Sequence, residues 1–303
     1  MFGVHRRYDD DSGKIVKIAP GELFEMKLYG ESANMEEKFY GEQGHDTIWL
    51  GGKVATHSRA FGGTGDDKLY GGRSVTGDTW LYGGADSDII RTDWWTSRDD
   101  TIPNGGDEYI WGDYKYGEDN LDKDLWGDAD KIYGGKGNDA GKQKIYGGDG
   151  ADSIHQGKNW SEGLIYGQNG DDTIYLGEDY IGTNKIFGGS GDDTWVNSVS
   201  YEDRTAGLIG AEYYFGGLGN DYIASSHKSD GITFLYGGAG EDIIVQGDEG
   251  TGGSYGFMVG NDGDDKIYGG YKGDFSDNEW IYGDSVAYDD TLDIYGSDAY
   301  GAL

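Results

Sequence analysis

Neighbouring carboxylates recur along this 303-residue chain, each time just ahead of a short apolar run. In "IYGQNGDDTIYLG", residues 165–177, Asp171 and Asp172 follow a glycine turn and precede Thr173-Ile174-Tyr175-Leu176. Two adjacent carboxylates suit either acid–base catalysis at a glycosidic bond or coordination of a hard cation by oxygen. Because the pairs recur at a regular interval, the pattern favours repeated cation sites over a single catalytic dyad.

The carboxylates belong to a repeated phrase that begins, in most copies, with an aromatic residue and glycine. The copies are YGEQGHDTI from Tyr40, FGGTGDDKL from Phe61, YGGADSDII from Tyr82, YGGKGNDA from Tyr133, YGGDGADSI from Tyr146, YGQNGDDTI from Tyr166, FGGSGDDTW from Phe187, FGGLGNDYI from Phe215, YGGAGEDII from Tyr236 and VGNDGDDKI from Val259. Starts at 40, 61 and 82, and again at 146, 166 and 187, differ by 20 or 21 residues. That length fits two short strands and two turns, which predicts one coil of a β-solenoid.

The phrase resembles the glycine- and aspartate-rich nonapeptide of the RTX family of calcium-binding β-rolls. The resemblance spans roughly residues 40–295. It implies an all-β fold, a parallel β-roll or β-solenoid, whose turns bind Ca²⁺ between successive coils through the aspartate and backbone carbonyls. Carried over by position, the implied calcium ligands are Asp46, Asp67, Asp88, Asp139, Asp152, Asp172, Asp193, Asp221, Asp242 and Asp265.

These residue types suit that chemistry. Glycine adopts positive φ without a Cβ penalty, and Ca²⁺ takes about 6–8 oxygen ligands in flexible geometry. The residue before the ligand is also acidic in several copies, which leaves two interpretations open: solvated surface charge, or attraction of the cation from outside its ligand shell. These residues are Asp66, Asp171, Asp192, Glu241 and Asp264.

The apolar residues predict how each coil is built. Isoleucine or leucine precedes the aromatic residue in pairs such as Ile165-Tyr166 and Ile186-Phe187. Adjacent residues of a strand face opposite ways, so if the aliphatic residues form the core, the aromatic residues form an external ladder beside the acidic turns.

Only one half of each coil carries the phrase, which predicts calcium turns along one edge and irregular loops along the other. We expect residues 1–39 to form N-terminal cap strands and residues 40–303 to form the roll. Within the roll, residues 91–131 hold degenerate, insertion-rich coils with shortened turns, where we expect poor calcium binding. Their tryptophans are either packed aromatics or a patch for a glycan or partner.

Composition limits the classes of partner. The 24 Lys and Arg residues against 57 Asp and Glu residues give a formal net charge of −33. Binding nucleic acid or an anionic membrane requires clustered cations, so neither is a predicted partner, whereas calcium is. The absence of Cys removes disulfides, zinc thiolate sites and cysteine nucleophiles, and no apolar run is long enough to span a bilayer.

No recognised catalytic pattern stands out, so we predict that the protein is not an enzyme. The H-E-x-x-H spacing is missing, and "GGSYG" at 252–256 matches G-x-S-x-G in a sequence where glycine makes such a match expected by chance. Asn159-Trp160-Ser161 is a glycosylation sequon, with Asn159 as the acceptor if the protein passes through a eukaryotic secretory pathway.

Together these features predict an extracellular or cell-surface structural protein that binds calcium. Its repeats favour end-to-end self-association into a fibre or surface layer. The alternative is a glycan-binding or stabilising module of a secreted polysaccharide-active enzyme, because Tyr and Trp are numerous and stack on sugar rings. In either case aspartates stacked in rows repel one another without metal, so folding and calcium binding are expected to be one event.

Overall fold

The computed structural model describes the strands and their adjoining turns. These are residues 27–29, 37–50, 57–71, 77–92, 107–113, 128–135, 141–157, 161–177, 183–197, 211–225, 232–246, 255–268, 278–282, 291–293 and 300–301. The chain divides into two compact units, residues 1–160 and 161–303. No helix long and apolar enough to cross a membrane occurs in the described part of the chain.

The first unit contains strands β1 to β11, which alternate between two sheets. They are β1 (Lys27–Tyr29), β2 (Glu37–Gln43), β3 (Thr47–Trp49), β4 (Ser58–Thr64), β5 (Lys68–Tyr70), β6 (Thr79–Ala85), β7 (Ile89–Arg91), β8 (Glu108–Asp113), β9 (Lys131–Tyr133), β10 (Lys142–Asp149) and β11 (Ser153–His155). Odd-numbered strands form one parallel sheet and even-numbered strands the other. We call the odd-numbered strands motif strands, because from β3 onward they follow the aspartate turn. We call the even-numbered strands return strands, because they lead into that turn.

The second unit repeats this alternation from β12 to β24. Its strands are β12 (Glu162–Asn169), β13 (Thr173–Leu176), β14 (Thr183–Ser190), β15 (Thr194–Asn197), β16 (Ala211–Leu218), β17 (Tyr222–Ala224), β18 (Ile232–Ala239), β19 (Ile243–Val245), β20 (Tyr255–Asp262), β21 (Lys266–Tyr268), β22 (Asn278–Tyr282), β23 (Thr291–Asp293) and β24 (Tyr300–Gly301). Even-numbered strands are again the return strands. The predicted all-β parallel solenoid is confirmed in both units.

Pairing between coils keeps a constant register. Ile165 pairs with Ile186, and Ile186 pairs with Tyr214 on the following return strand. Equivalent aspartates of successive coils are most often 21 residues apart, as between Asp172 and Asp193, and insertions raise the spacing to 28 between Asp193 and Asp221. Because a one-residue slip would turn every core side chain outward, this constant register maintains the interior.

The interior of each coil is a thin layer of aliphatic side chains from both sheets. Ile90 of a motif strand and Leu81 of a return strand are fully buried in the first unit, and Ile174 and Ile186 are fully buried in the second. Each such burial contributes about 1.5–3 kcal/mol. Trp195 takes the same inward position in β15 and is 1% exposed, so the second unit also buries a large ring.

Aromatic side chains form the predicted external ladder. In the first unit Tyr40, Phe61, Tyr82, Trp111 and Tyr146 stack with ring centroids 4.6–5.3 Å apart. In the second unit the column contains Tyr166, Phe187, Phe215 and Tyr236, with centroids 4.7–5.0 Å apart. The interstrand distance of about 4.8 Å imposes this spacing.

The edge opposite the aspartate turns differs in chemistry. Most of the predicted variable loops there lie outside the described residues. Inside that edge, buried Glu108 accepts a hydrogen bond from Nε2 of Gln143 at 2.7 Å, and Oε1 of Gln143 accepts one from Gly157 N at 3.0 Å. Neutral amide groups therefore compensate a buried carboxylate on this side.

The described residues bear on the predicted domain boundaries only in part. Residues 1–26 lie outside them, and β1 pairs in parallel with β3. Of the degenerate stretch 91–131, the described parts include the end of β7, all of β8 and the start of β9, with adjoining turn residues. The division into a cap, a roll and a degenerate region remains a prediction.

Candidate metal centre

The candidate centre lies where a return strand turns into a motif strand. In the turn from β14 to β15, Gly189 has a φ of 127°, and a Cβ there would collide with the carbonyl oxygen of Gln168 on the preceding coil. Only glycine fits both constraints. The turn ends at Asp193, which directs its side chain inward and is 1% exposed.

Equivalent aspartates of successive coils form a continuous row of hydrogen bonds. In each link the backbone N–H of one aspartate donates to Oδ1 of the next. In the first unit Asp46 donates to Asp67 at 2.6 Å, Asp67 to Asp88 at 2.8 Å, Asp88 to Asp130 at 2.7 Å and Asp130 to Asp152 at 2.8 Å. In the second unit Asp172 donates to Asp193 at 2.9 Å, Asp193 to Asp221 at 2.8 Å, Asp221 to Asp242 at 2.8 Å and Asp242 to Asp265 at 2.9 Å.

Nine of the predicted ligand residues lie in these rows. They are Asp46, Asp67, Asp88 and Asp152 in the first unit and Asp172, Asp193, Asp221, Asp242 and Asp265 in the second, each at most 2% exposed. Asp139, the tenth, lies outside the described residues. Tyr133, taken from the sequence as the start of its repeat, instead ends motif strand β9.

Asp130 is the row member that the sequence pattern missed. It lies between Asp88 and Asp152 and is 1% exposed. The first glycine of its turn, Gly112, lies 18 residues before Asp130. In the preceding coil the equivalent distance, from Gly83 to Asp88, is five residues. The insertion separated the two halves of the phrase. The signals that remained were Trp111-Gly112 ahead of the insertion and Asp130-Lys131-Ile132 after it.

In the row carboxylates that accept such a link, Oδ1 is committed to the backbone of the preceding coil. Among the described residues no hydrogen-bond donor reaches the buried Oδ2 of Asp67, Asp88, Asp130, Asp193, Asp221 and Asp242. A buried carboxylate oxygen without a donor costs free energy unless a proton or a cation compensates it.

The first glycine of each turn lies directly beside that oxygen, and its lack of a side chain leaves the space free. An ideal Cβ on Gly188 would collide with Oδ2 of Asp193 and would lie 2.7 Å from the carbonyl oxygen of Gly216 on the next coil. A carboxylate oxygen and a carbonyl oxygen therefore converge on one glycine. The same convergence occurs at Gly41, Gly62, Gly83, Gly112, Gly167, Gly216 and Gly237. Such oxygen donors fit Ca²⁺.

Burial raises the pKa values of the row carboxylates. Desolvation is the largest cause. The donated backbone N–H is the next largest and lowers the pKa values in part, and the charges of neighbouring aspartates raise them further. The pKa rises to about 8 for Asp67, Asp130 and Asp152, to about 7 for Asp193 and Asp221, and to about 6 for Asp242. The charged form is thus unfavourable in the metal-free fold near neutral pH.

Side chains alone do not complete a metal site. In the described ranges, no three carboxylate, imidazole or thiol groups lie together as a metal-binding cluster. A cation in a turn would therefore be held by one or two carboxylates and completed by backbone carbonyls or water, which is a donor set for calcium rather than for zinc.

The acidic residues just before the row aspartates have a structural role that the sequence did not reveal. Asp171 Oδ1 accepts a hydrogen bond from Asp192 N at 2.8 Å, and Asp192 Oδ1 accepts one from Asn220 N at 2.7 Å. In the first unit Asp66 Oδ1 accepts one from Ser87 N at 3.3 Å. These side chains therefore form an exposed outer ladder, which satisfies turn N–H groups of the following coil.

Comparisons with known proteins agree with this geometry. The family model described as the RTX calcium-binding nonapeptide repeat matches residues 58–74, 75–94, 127–155, 164–180, 180–194, 207–224, 229–248 and 251–271. These ranges cover more than half of the chain and include Asp130. A search of curated proteins finds no significant match.

Proposed function

The chain belongs to the family of RTX calcium-binding nonapeptide repeat proteins, and on that premise we propose that it is a secreted structural roll that calcium folds and that self-associates outside the cell. The observation that carries the proposal is the row of buried aspartates, eight of which have Oδ2 facing a glycine of the same turn and a carbonyl oxygen of the next coil. We propose no enzymatic activity.

The residues that would hold Ca²⁺ are the row aspartates together with carbonyl oxygens of the turn glycines. Asp193 would contribute Oδ2 and Gly216 its carbonyl oxygen, as Asp221 and Gly237 would in the next turn. Bound calcium would supply the positive charge that these desolvated oxygens lack. The chain's own contribution is to keep Oδ1 engaged with the neighbouring backbone, which orients Oδ2 inward.

The charge balance supports a location outside the cell. With a net charge of −33 and a mean hydropathy of −0.70, the chain has strong self-repulsion and a thin core. Ligand binding to the folded state adds stability in proportion to the logarithm of free ligand concentration. We therefore propose that the chain folds where calcium is plentiful and remains unfolded where it is scarce.

Coil stacking also supports self-association. Each coil presents one surface to the coil before it and another to the coil after it, so the contact is heterologous and repeatable. A coil of a second molecule would offer the same kind of backbone hydrogen bonds that Asp172 N and Asp193 N make within one molecule. We propose end-to-end addition of this kind, leading to a fibre or a surface layer.

Far-UV circular dichroism during a calcium titration of EGTA-treated protein tests the proposal, with sedimentation velocity and electron microscopy of the endpoint. We expect a cooperative gain of β structure, followed by calcium-dependent assembly. Mg²⁺ at the same concentration is the control and is expected to be much weaker, because it retains its waters and demands octahedral geometry. A folded, calcium-indifferent chain would overturn the calcium role, whereas folding without assembly would overturn only the self-association.

The glycan-binding alternative receives less support. Phe187 lies between Tyr166 at 4.7 Å and Phe215 at 4.8 Å, with interplanar angles of 11° and 5°, so both of its faces are covered by neighbouring rings. Sugar rings stack on exposed aromatic faces. Most of the loop aromatics, and Asn159 as a glycosylation acceptor, lie outside the described residues. Retention on a polysaccharide array would restore this alternative.

A further inference from the structure

The coil formed by β8 and β9 differs from the preceding coil at the second residue of the turn. Asp113 follows Gly112 and pairs in register with Gly84 of the preceding coil. Glycine also occupies this position at Gly63, which pairs with Gly84. Asp113 therefore places a carboxylate where the preceding turn has glycine. Glu42, which pairs with Gly63 and holds the same register position in the first coil, is exposed.

The carboxylate of Asp113 extends over the following coil. Its Oδ2 accepts a hydrogen bond from Asp149 N at 2.7 Å, and a Cβ added to Gly148 would collide with it. Oδ1 of Asp113 is buried, and no donor within the described ranges reaches it. The glycine at 148 is thus what makes room for this side chain.

The same turn holds a second carboxylate oxygen that is buried without a hydrogen-bond donor within the described ranges. Oδ2 of Asp130, a side chain that is 1% exposed, also accepts no hydrogen bond within the described ranges. A Cβ added to Gly112 would collide with this oxygen and with the carbonyl oxygen of Gly147. In the part of the chain that the structure describes, other aspartate turns have one buried carboxylate oxygen without a donor, and this turn has two.

The surroundings concentrate negative charge further. Burial raises the pKa of Asp113 to about 7; the hydrogen bond from Asp149 N opposes this rise, and the charges of Asp149, Asp128 and Asp86 add to it. Asp113 in turn raises the pKa of Asp130. Two desolvated carboxylates with further acids around them bind a hard cation more strongly than one, because calcium affinity rises with the charge of the ligand set.

We propose that Asp113 and Asp130 together form the highest-affinity cation site of the chain, which Ca²⁺ occupies first. This inference rests on the proposed calcium role and reverses the expectation that the degenerate stretch binds calcium poorly. A first ion bound in this coil aligns the two ends of the insertion at 114–127, because it holds the end of β8 against the turn before β9.

Calcium titration of the full chain in competition with a fluorescent chelator tests the proposal. Asp113→Asn keeps the acceptor for Asp149 N and removes only the charge, and we expect the first calcium to bind about tenfold more weakly. Asp107→Asn is the matched control. Asp107 lies at the opposite edge of the same coil, where its Oδ1 accepts a hydrogen bond from Lys142 N at 2.9 Å, so the control removes an equal charge away from the turn. It should change the first affinity by less than about twofold.

Asp113→Glu tests the charge itself and should recover most of the lost affinity. A second measurement does not depend on folding energetics: in crystals grown with one equivalent of Tb³⁺, the strongest anomalous peak should lie beside Asp113 and Asp130. Equal first affinities for the parent and Asp113→Asn, or a strongest peak in another turn, would overturn the inference and leave the calcium role intact. A parent chain that binds neither calcium nor terbium would overturn both.

Discussion

The backbone N–H of Asp172 donates a hydrogen bond to Oδ1 of Asp193 on the next coil at 2.9 Å. That bond uses one oxygen of the Asp193 carboxylate to hold two coils together and leaves Oδ2 buried without a donor among the described residues. Coil stacking and cation binding are therefore served by two oxygens of one side chain. This division of roles underlies the predictions below.

Asp193→Asn should abolish one calcium site while retaining the coil contact. An amide oxygen still accepts the hydrogen bond from Asp172 N but carries no charge. We expect one calcium fewer per chain by calorimetry. In EGTA, however, the variant should be more stable than the parent, since a desolvated charge is gone. Asp192→Asn, in the exposed neighbour, is the control and should alter neither quantity appreciably. Loss of stability by Asp193→Asn in EGTA would contradict the assignment.

The metal-free protein should be more stable in mild acid than at neutral pH. The pKa values of Asp193, Asp221 and Asp130 rise from an ordinary 3.8 to about 7, 7 and 8, so the fold binds protons more tightly than the unfolded chain does. Their contribution is fully present below about 3.8, declines as pH rises above that value and is lost once pH has passed through the folded pKa values of about 7 to 8.

Denaturant titrations in EGTA at pH 5, above the sequence pI of about 4.2, and at pH 8.5 test this pH dependence. Saturating calcium should reverse the trend, because the cation needs deprotonated ligands. A metal-free fold with equal stability at both pH values would show that the row carboxylates are not desolvated as described.

Gly188→Ala should block one site by filling the space beside the carboxylate. The added methyl group collides with Oδ2 of Asp193, and Gly188 is not among the glycines with positive φ, so the substitution acts through space rather than backbone strain. We expect the loss of one calcium and a free energy of unfolding lower by about 1–3 kcal/mol in calcium. Ser190→Ala, in the same turn, removes only an exposed hydrogen bond to Asn169 and should leave calcium binding intact.

Phe187→Leu should weaken the coil contact without affecting the ions. Phe187 stacks on Tyr166 and Phe215, and each ring pair contributes about 0.5–1.5 kcal/mol beyond area burial. We therefore expect the free energy of unfolding in saturating calcium to fall by about 1–3 kcal/mol, with calcium stoichiometry unchanged. A change in stoichiometry would indicate that the ladder also positions the turns.

Much of the fold was predictable because short sequence patterns within each coil determine its strands and turns. The alternation in Ile186-Phe187 determines which side chain faces the core, and the two-residue period of a strand requires no tertiary information. The turn at Gly189 and Asp193 was predictable for the same reason. Asp130 was missed because its turn is assembled from segments on either side of an insertion, and a sequence period cannot align residues that the insertion separates.

The sequence by itself determined the parallel solenoid, its coil length, the aliphatic core with its aromatic ladder, and nine row aspartates, because each follows from short-range alternation and repeated turn chemistry. Only the tertiary structure decided which oxygen of each aspartate is committed, that Asp130 completes the row, and that Asp113 lies over Gly148. These facts depend on backbone register between coils more than twenty residues apart. That register is set by hydrogen bonding across the whole coil rather than by any local segment.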